Sequence, residues 1–64
     1  MKERFVTEYA NYRIRDFKAM RDEREDPFFR NFCSNQILQI KTILSKHEQG
    51  YITTNETMKL ISEV

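Results

Sequence analysis

Sixty-four residues, 39% hydrophobic and 33% charged, with eleven Lys and Arg against ten Asp and Glu, make one small and nearly neutral domain. That size excludes a catalytic domain paired with a cofactor domain, and a net charge of +1 leaves no field that would by itself select nucleic acid or an anionic membrane. A chain this short buries only about 60% of its unfolded surface, so self-association is expected to supplement its core.

Eight aromatic residues argue for a core rather than charge-rich disorder. The single Cys33 cannot form an internal disulfide, the first residues lack the apolar run of a signal peptide, and no stretch approaches the roughly 18 apolar residues of a membrane span. A cytoplasmic setting is expected.

The expected fold is all-α: two long antiparallel helices, at about 3–23 and 27–48, with a short third helix at about 54–63 packing across them. In the first helix, Phe5, Tyr9, Tyr12, Ala19 and Met20, with Val6, Ala10 and Phe17, cover roughly half a cylinder at 100° per residue. Glu8, Asn11, Arg15, Lys18 and Asp22 fill the solvated side. The run Arg21–Asp26 then ends the helix, because Pro27 drives Asp26 out of helical geometry and makes it an N-cap, while Pro27 itself suits the first position of a new helix.

Phe29, Phe32, Cys33, Ile37, Ile40, Ile43 and Leu44 share one face of the second helix with Gln36 and His47. Gly50 fits the left-handed residue that closes it. Tyr51 and Ile52 are expected to turn back onto the core, and Thr53 with Glu56 has the spacing of a capping box. Leu60, Ile61 and Val64, with Met58 more loosely, give the third helix a short apolar stripe. About ten residues are too few to be helical alone, so this helix must dock.

Chemistry finds little footing. Cys33 and His47 lie 14 positions apart on one helix, about 21 Å, so they cannot form a dyad or share a metal within one chain. Cys33 reads as a small buried hydrophobe, and His47 as a residue at the core edge that balances the helix end. The segment Ser45–Glu56 has the outline of a calcium loop, with Gly50, Ile52 and Glu56 suitably spaced. Ser45, His47 and Gln49 nevertheless stand where mostly carboxylate ligands are required. No metal, cofactor or catalytic residue is expected.

The pattern from helix through Gly50-Tyr51-Ile52-Thr53 and Glu56 to helix resembles the Gly-x-Ile-Thr-x-x-Glu hairpin of SHOCT-domain proteins, small bacterial and phage chains. The resemblance covers residues 37–64 and implies an oligomerisation or docking element without catalytic residues. The compact length, rich in rings and Arg, likewise suggests a phage or mobile-element protein.

Seven of the eight aromatics and six Arg lie before residue 33. Rings and Arg are enriched at interfaces, so the leading expectation is a non-catalytic protein-binding module, a small regulator or inhibitor acting on a larger protein. Tyr9, Tyr12, Arg13, Asp16 and Met20 are the candidate contact residues; Arg13 and Asp16 could pair with each other at i, i+3. Ile14 and Leu38, off the main stripes, are the self-association candidates in an expected homodimer. The alternative is a small DNA-binding regulator using Arg13, Arg15, Lys18 and Arg21 as phosphate ligands. For the rings themselves the plainer expectation is that Phe5, Tyr9, Tyr12 and Phe17 pack on Phe29 and Phe32 in the antiparallel hairpin, with an exposed recognition face as the alternative.

Overall fold

A computed structural model describes residues 2–64, with side chains from Arg4 onward. Three helices follow one another: α1 (Lys2–Glu23), α2 (Pro27–Glu48) and α3 (Thr54–Glu63). The molecule measures 37 × 18 × 16 Å. Its long dimension matches a helix of 22 residues, about 33 Å at 1.5 Å per residue, so α1 and α2 run the whole length. A connection of only residues 24–26 folds them into an antiparallel hairpin, and α3 packs on both.

Local chemistry sets each boundary. Asp26 takes an extended backbone, and its carboxylate accepts the Phe28 amide at 3.0 Å, while Pro27 opens α2. At the other end Gly50 adopts φ +84°. Its amide donates to the His47 carbonyl at 3.0 Å and the Tyr51 amide to the Lys46 carbonyl at 2.9 Å, a Schellman closure. The Thr53 hydroxyl accepts the Glu56 amide at 3.1 Å and the Glu56 carboxylate accepts the Thr53 amide at 3.0 Å, completing the reciprocal cap of α3.

The core consists of Val6, Ala10, Ile14 and Phe17 of α1, Cys33, Ile37 and Ile40 of α2, and Ile61 of α3. Tyr9, Met20, Phe29, Ile43, Leu44 and Val64 pack around it, half-buried. Ala10 and Cys33, both wholly buried and small, let the two long helices approach closely. This rotates α1 from the expected orientation. Its inner face runs through 6, 10, 14 and 17, whereas Phe5 and Tyr12 stand 63% and 65% exposed and Ala19 is exposed. Bulky rings would hold the helix backbones apart; at the rim they cover the seam instead.

Ile14 is therefore a core residue, 7% exposed, and not a self-association residue. Tyr51 also departs from expectation. The Schellman bond from its amide fixes it outside the helix end, 74% exposed, and only Ile52 turns partly inward.

α3 is secured to α2 at both ends. His47 Nε2 meets Thr54 Oγ1 at 3.2 Å, and the Gln36 side-chain amide donates to the Val64 carbonyl at 3.4 Å. Thr57 is wholly buried, yet its hydroxyl donates to the Thr53 carbonyl at 2.7 Å, so no polar group is stranded there. Together these place α3 along the groove between the long helices, over the half furthest from their connection.

Candidate protein-interaction surface

At 100° per residue, Tyr9, Tyr12, Arg13, Asp16 and Met20 fall within an arc of about 100° on α1, beside the buried seam. The structure grades them across that arc. Tyr12 and Asp16 are exposed, while Tyr9, Arg13 and Met20 are half-buried. Phe5, one turn before Tyr9, extends the same strip and shows 63% of its surface. The result is a ridge of rings whose inner edge is fixed by the core and whose outer edge meets water.

Arg13 anchors the inner edge. Its guanidinium carbon lies 5.4 Å from the Phe17 ring centroid, a cation–π geometry, and no ion pair joins it to Asp16. Its Nε is buried without a hydrogen-bond partner. An unsatisfied donor of this kind costs about 1–3 kcal/mol, against about 0.5–2 kcal/mol gained from the ring contact. Asp16 consequently stands as a free exposed carboxylate beside Tyr12.

The four proposed phosphate ligands do not form one patch. Arg13 is stacked on Phe17. Arg21 donates to Ser34 Oγ at 3.3 Å and its Nε lies 3.8 Å from an Asp22 carboxylate oxygen. Lys18 stands exposed on the far side with Asn11, and Arg15, also exposed, lies between that side and the hollow it lines with Tyr12, Asp16 and Ala19. Beside the hairpin connection an open cleft of about 570 Å³ mixes Arg21 and Arg30 with Asp22 and Glu25, so cations and carboxylates offset each other there.

Cys33 lies wholly buried in the core. Among the described residues, no group of three or more His, Cys, Asp or Glu is placed to hold a metal ion. No helix among them is long and apolar enough to cross a membrane.

One ring placed on the core face by sequence, Phe32, lies half outside it, and its neighbour Phe28 lies further out. Phe28 is 86% exposed, on the outer side of the first turn of α2, and Phe32 is 50% exposed. Phe32 packs against Phe29 with centroids 6.4 Å apart, and Arg24 sits 4.2 Å above the Phe29 ring. Leu38 is 63% exposed, as its off-stripe position implied. Phe28 could have been found from the helical period, since it lies about 150° around α2 from the stripe of Cys33, Ile37 and Ile40. In comparisons with protein-family models, curated proteins and solved structures, nothing matches this chain.

Proposed function

We propose that the chain is a non-catalytic protein-binding module, a small regulator or inhibitor that docks on a larger protein through the ring ridge of α1. The observation that carries this reading is the exposure of Phe5 and Tyr12, 63% and 65%, on the helix that also supplies half of the core. Rings held by a rigid helix lose little conformational freedom when covered, and their removal from water gives a large contact energy for few residues. Asp16 stands exposed beside Tyr12 and adds one negative charge to the ridge, which suits a directed contact more than non-specific adhesion. The DNA-binding alternative rests on Arg15 and Lys18 alone, since Arg13 and Arg21 are engaged within the fold.

Capture from a lysate of the source cells, quantified by mass spectrometry, tests the reading. Wild type should enrich a specific protein that the Phe5→Ser/Tyr12→Ser variant loses while Asn11→Ala/Lys18→Ala keeps it. Equal capture by all three, or enrichment of nucleic acid alone, would refute it.

A further inference from the structure

Six residues of α1 recur at alternating spacings of four and three: Phe5, Tyr9, Tyr12, Asp16, Ala19 and Glu23. A mean period of 3.5 keeps them within an arc of about 80° over about 27 Å of helix, the spacing along which one helix lies against another. Tyr9 is half-buried and the other five are exposed, so the fold leaves the strip uncovered.

The strip is divided by chemistry. Its first half carries rings, and its second half carries two carboxylates on either side of Ala19. Among the described residues no ion pair engages Asp16 or Glu23, whereas Glu8, at the border of the strip, is held by Arg4 at 3.2 Å. The cations nearest in sequence are turned elsewhere. The Arg13 guanidinium lies 5.4 Å from the Phe17 ring centroid and that of Arg24 lies 4.2 Å above the Phe29 ring. Arg15 lies about 100° around the helix from Asp16, at the rim of the strip. Glu23 is the last residue of α1, where the helix dipole opposes a carboxylate, so the negative charge there is one the fold does not use.

We propose that this strip receives an amphipathic helix of the partner, apolar along one half of its contact stripe and basic along the other, with Lys or Arg side chains meeting Asp16 and Glu23. The proposal rests on the ridge reading above and names the chemistry of the partner. Tyr12, Arg15, Asp16 and Ala19 stand at i, i+3, i+4 and i+7, the four corners of a hole that one side chain of a facing helix enters. A mostly apolar hollow of about 260 Å³ lies between them, left open by the small Ala19 side chain.

Charge chooses among the helices that would fit. One that is apolar throughout takes Asp16 and Glu23 out of water without a partner, and an acidic one adds like-charge repulsion; a basic half pairs both carboxylates. A second copy of the strip meets neither need, since parallel copies set carboxylate on carboxylate and antiparallel copies set carboxylates on rings. A contact one helix wide belongs with the small, transient interfaces below about 1,200 Å², where binding is weak and opposite charge raises the rate of encounter.

Fluorescence anisotropy with synthetic helical peptides of three heptads tests the inference. The Lys peptides carry Lys at two core positions of either their first or their last half and Leu at the others, and the Glu peptides are their acidic counterparts. Wild type should bind one of the Lys peptides at about 10–100 μM in low salt and its Glu counterpart at least about 10-fold more weakly, with the preference fading as salt is raised. Asp16→Lys/Glu23→Lys changes exposed residues only and, with helicity unchanged by circular dichroism, should reverse the order, preferring a Glu peptide by about 10-fold. Binding to none of the peptides, Lys peptides that bind no better than Glu peptides, or a charge-reversed chain that keeps the wild-type order would each overturn the inference. Phe5→Ser/Tyr12→Ser should weaken binding of every peptide, and this judges the ridge reading separately. Binding that is lost in this variant yet ignores the charge of the peptide would remove the basic helix alone, whereas a ring variant that binds as wild type does would remove both.

Discussion

Ile61 and Leu60 are neighbours on a helix of only ten residues, yet Ile61 is wholly buried and Leu60 is 41% exposed. Truncating each to Ala therefore tests whether α3 is held by this specific face. Removing a buried Ile costs about 2–5 kcal/mol, and the site has Ala10 and Cys33 in the same core cluster, small side chains that cannot move to fill the space. Taking about 3 kcal/mol, and about 4–8 °C per kcal/mol for a domain of this size, Ile61→Ala should melt roughly 12–24 °C below wild type. Total stability is of the order of 3–10 kcal/mol, from about 0.05–0.15 kcal/mol per residue over the chain, so the loss is a large fraction of it. Leu60→Ala forfeits only partial burial and gains helix propensity; its cost should stay below about 1 kcal/mol. Far-UV circular dichroism through thermal and urea unfolding reads both. A Leu60→Ala variant as unstable as Ile61→Ala would mean that α3 docks on a different face, and the fold described above would be wrong.

Three further outcomes are expected. Ile14→Asp should unfold the chain at room temperature, because it buries an unpaired carboxylate in the seam at a cost of several kcal/mol; a folded variant that had merely lost self-association would restore Ile14 as a surface residue. The Thr53 amide, and next the Thr53 hydroxyl, hold the Glu56 carboxyl below its ordinary 4.5. Its folded-state value is thus depressed, so the stability it contributes is present above that ordinary value and lost as pH falls through the folded one. Glu56→Gln should flatten this acid limb of the melting-temperature profile, and an unchanged profile would contradict the reciprocal cap. Arg13→Met keeps the apolar stem and removes the stranded Nε, so stability should change by no more than about 1 kcal/mol in chemical unfolding. A loss above about 2 kcal/mol would show that the ring contact with Phe17 outweighs the unsatisfied donor.

The elements were legible because their signals are local. The bounds of α2 and α3 follow from Asp26-Pro27, Gly50 and the Thr53/Glu56 pair, each acting within one turn of chain. The rotation of α1 was not legible. Val6, Ala10 and Phe17 belong equally to a stripe through Tyr9 and Tyr12 and to one through Ile14, and periodicity cannot choose between two overlapping arcs. The choice is made by packing against α2, where the small buried Cys33 on one helix and Ala10 on the other permit a close seam and leave the rings at the rim. The same ambiguity split the candidate site. Tyr12 and Asp16 are available to a partner, Tyr9, Arg13 and Met20 are shared with the fold, and Ile14 belongs to the core.

The most direct measurement of the central claim is carbene footprinting of the chain alone and in complex with the protein it captures. Protection at Phe5, Tyr9 and Tyr12, with Asn11 and Lys18 labelled equally in both states, is the predicted result. Unchanged labelling of those rings in a saturated complex would contradict the account.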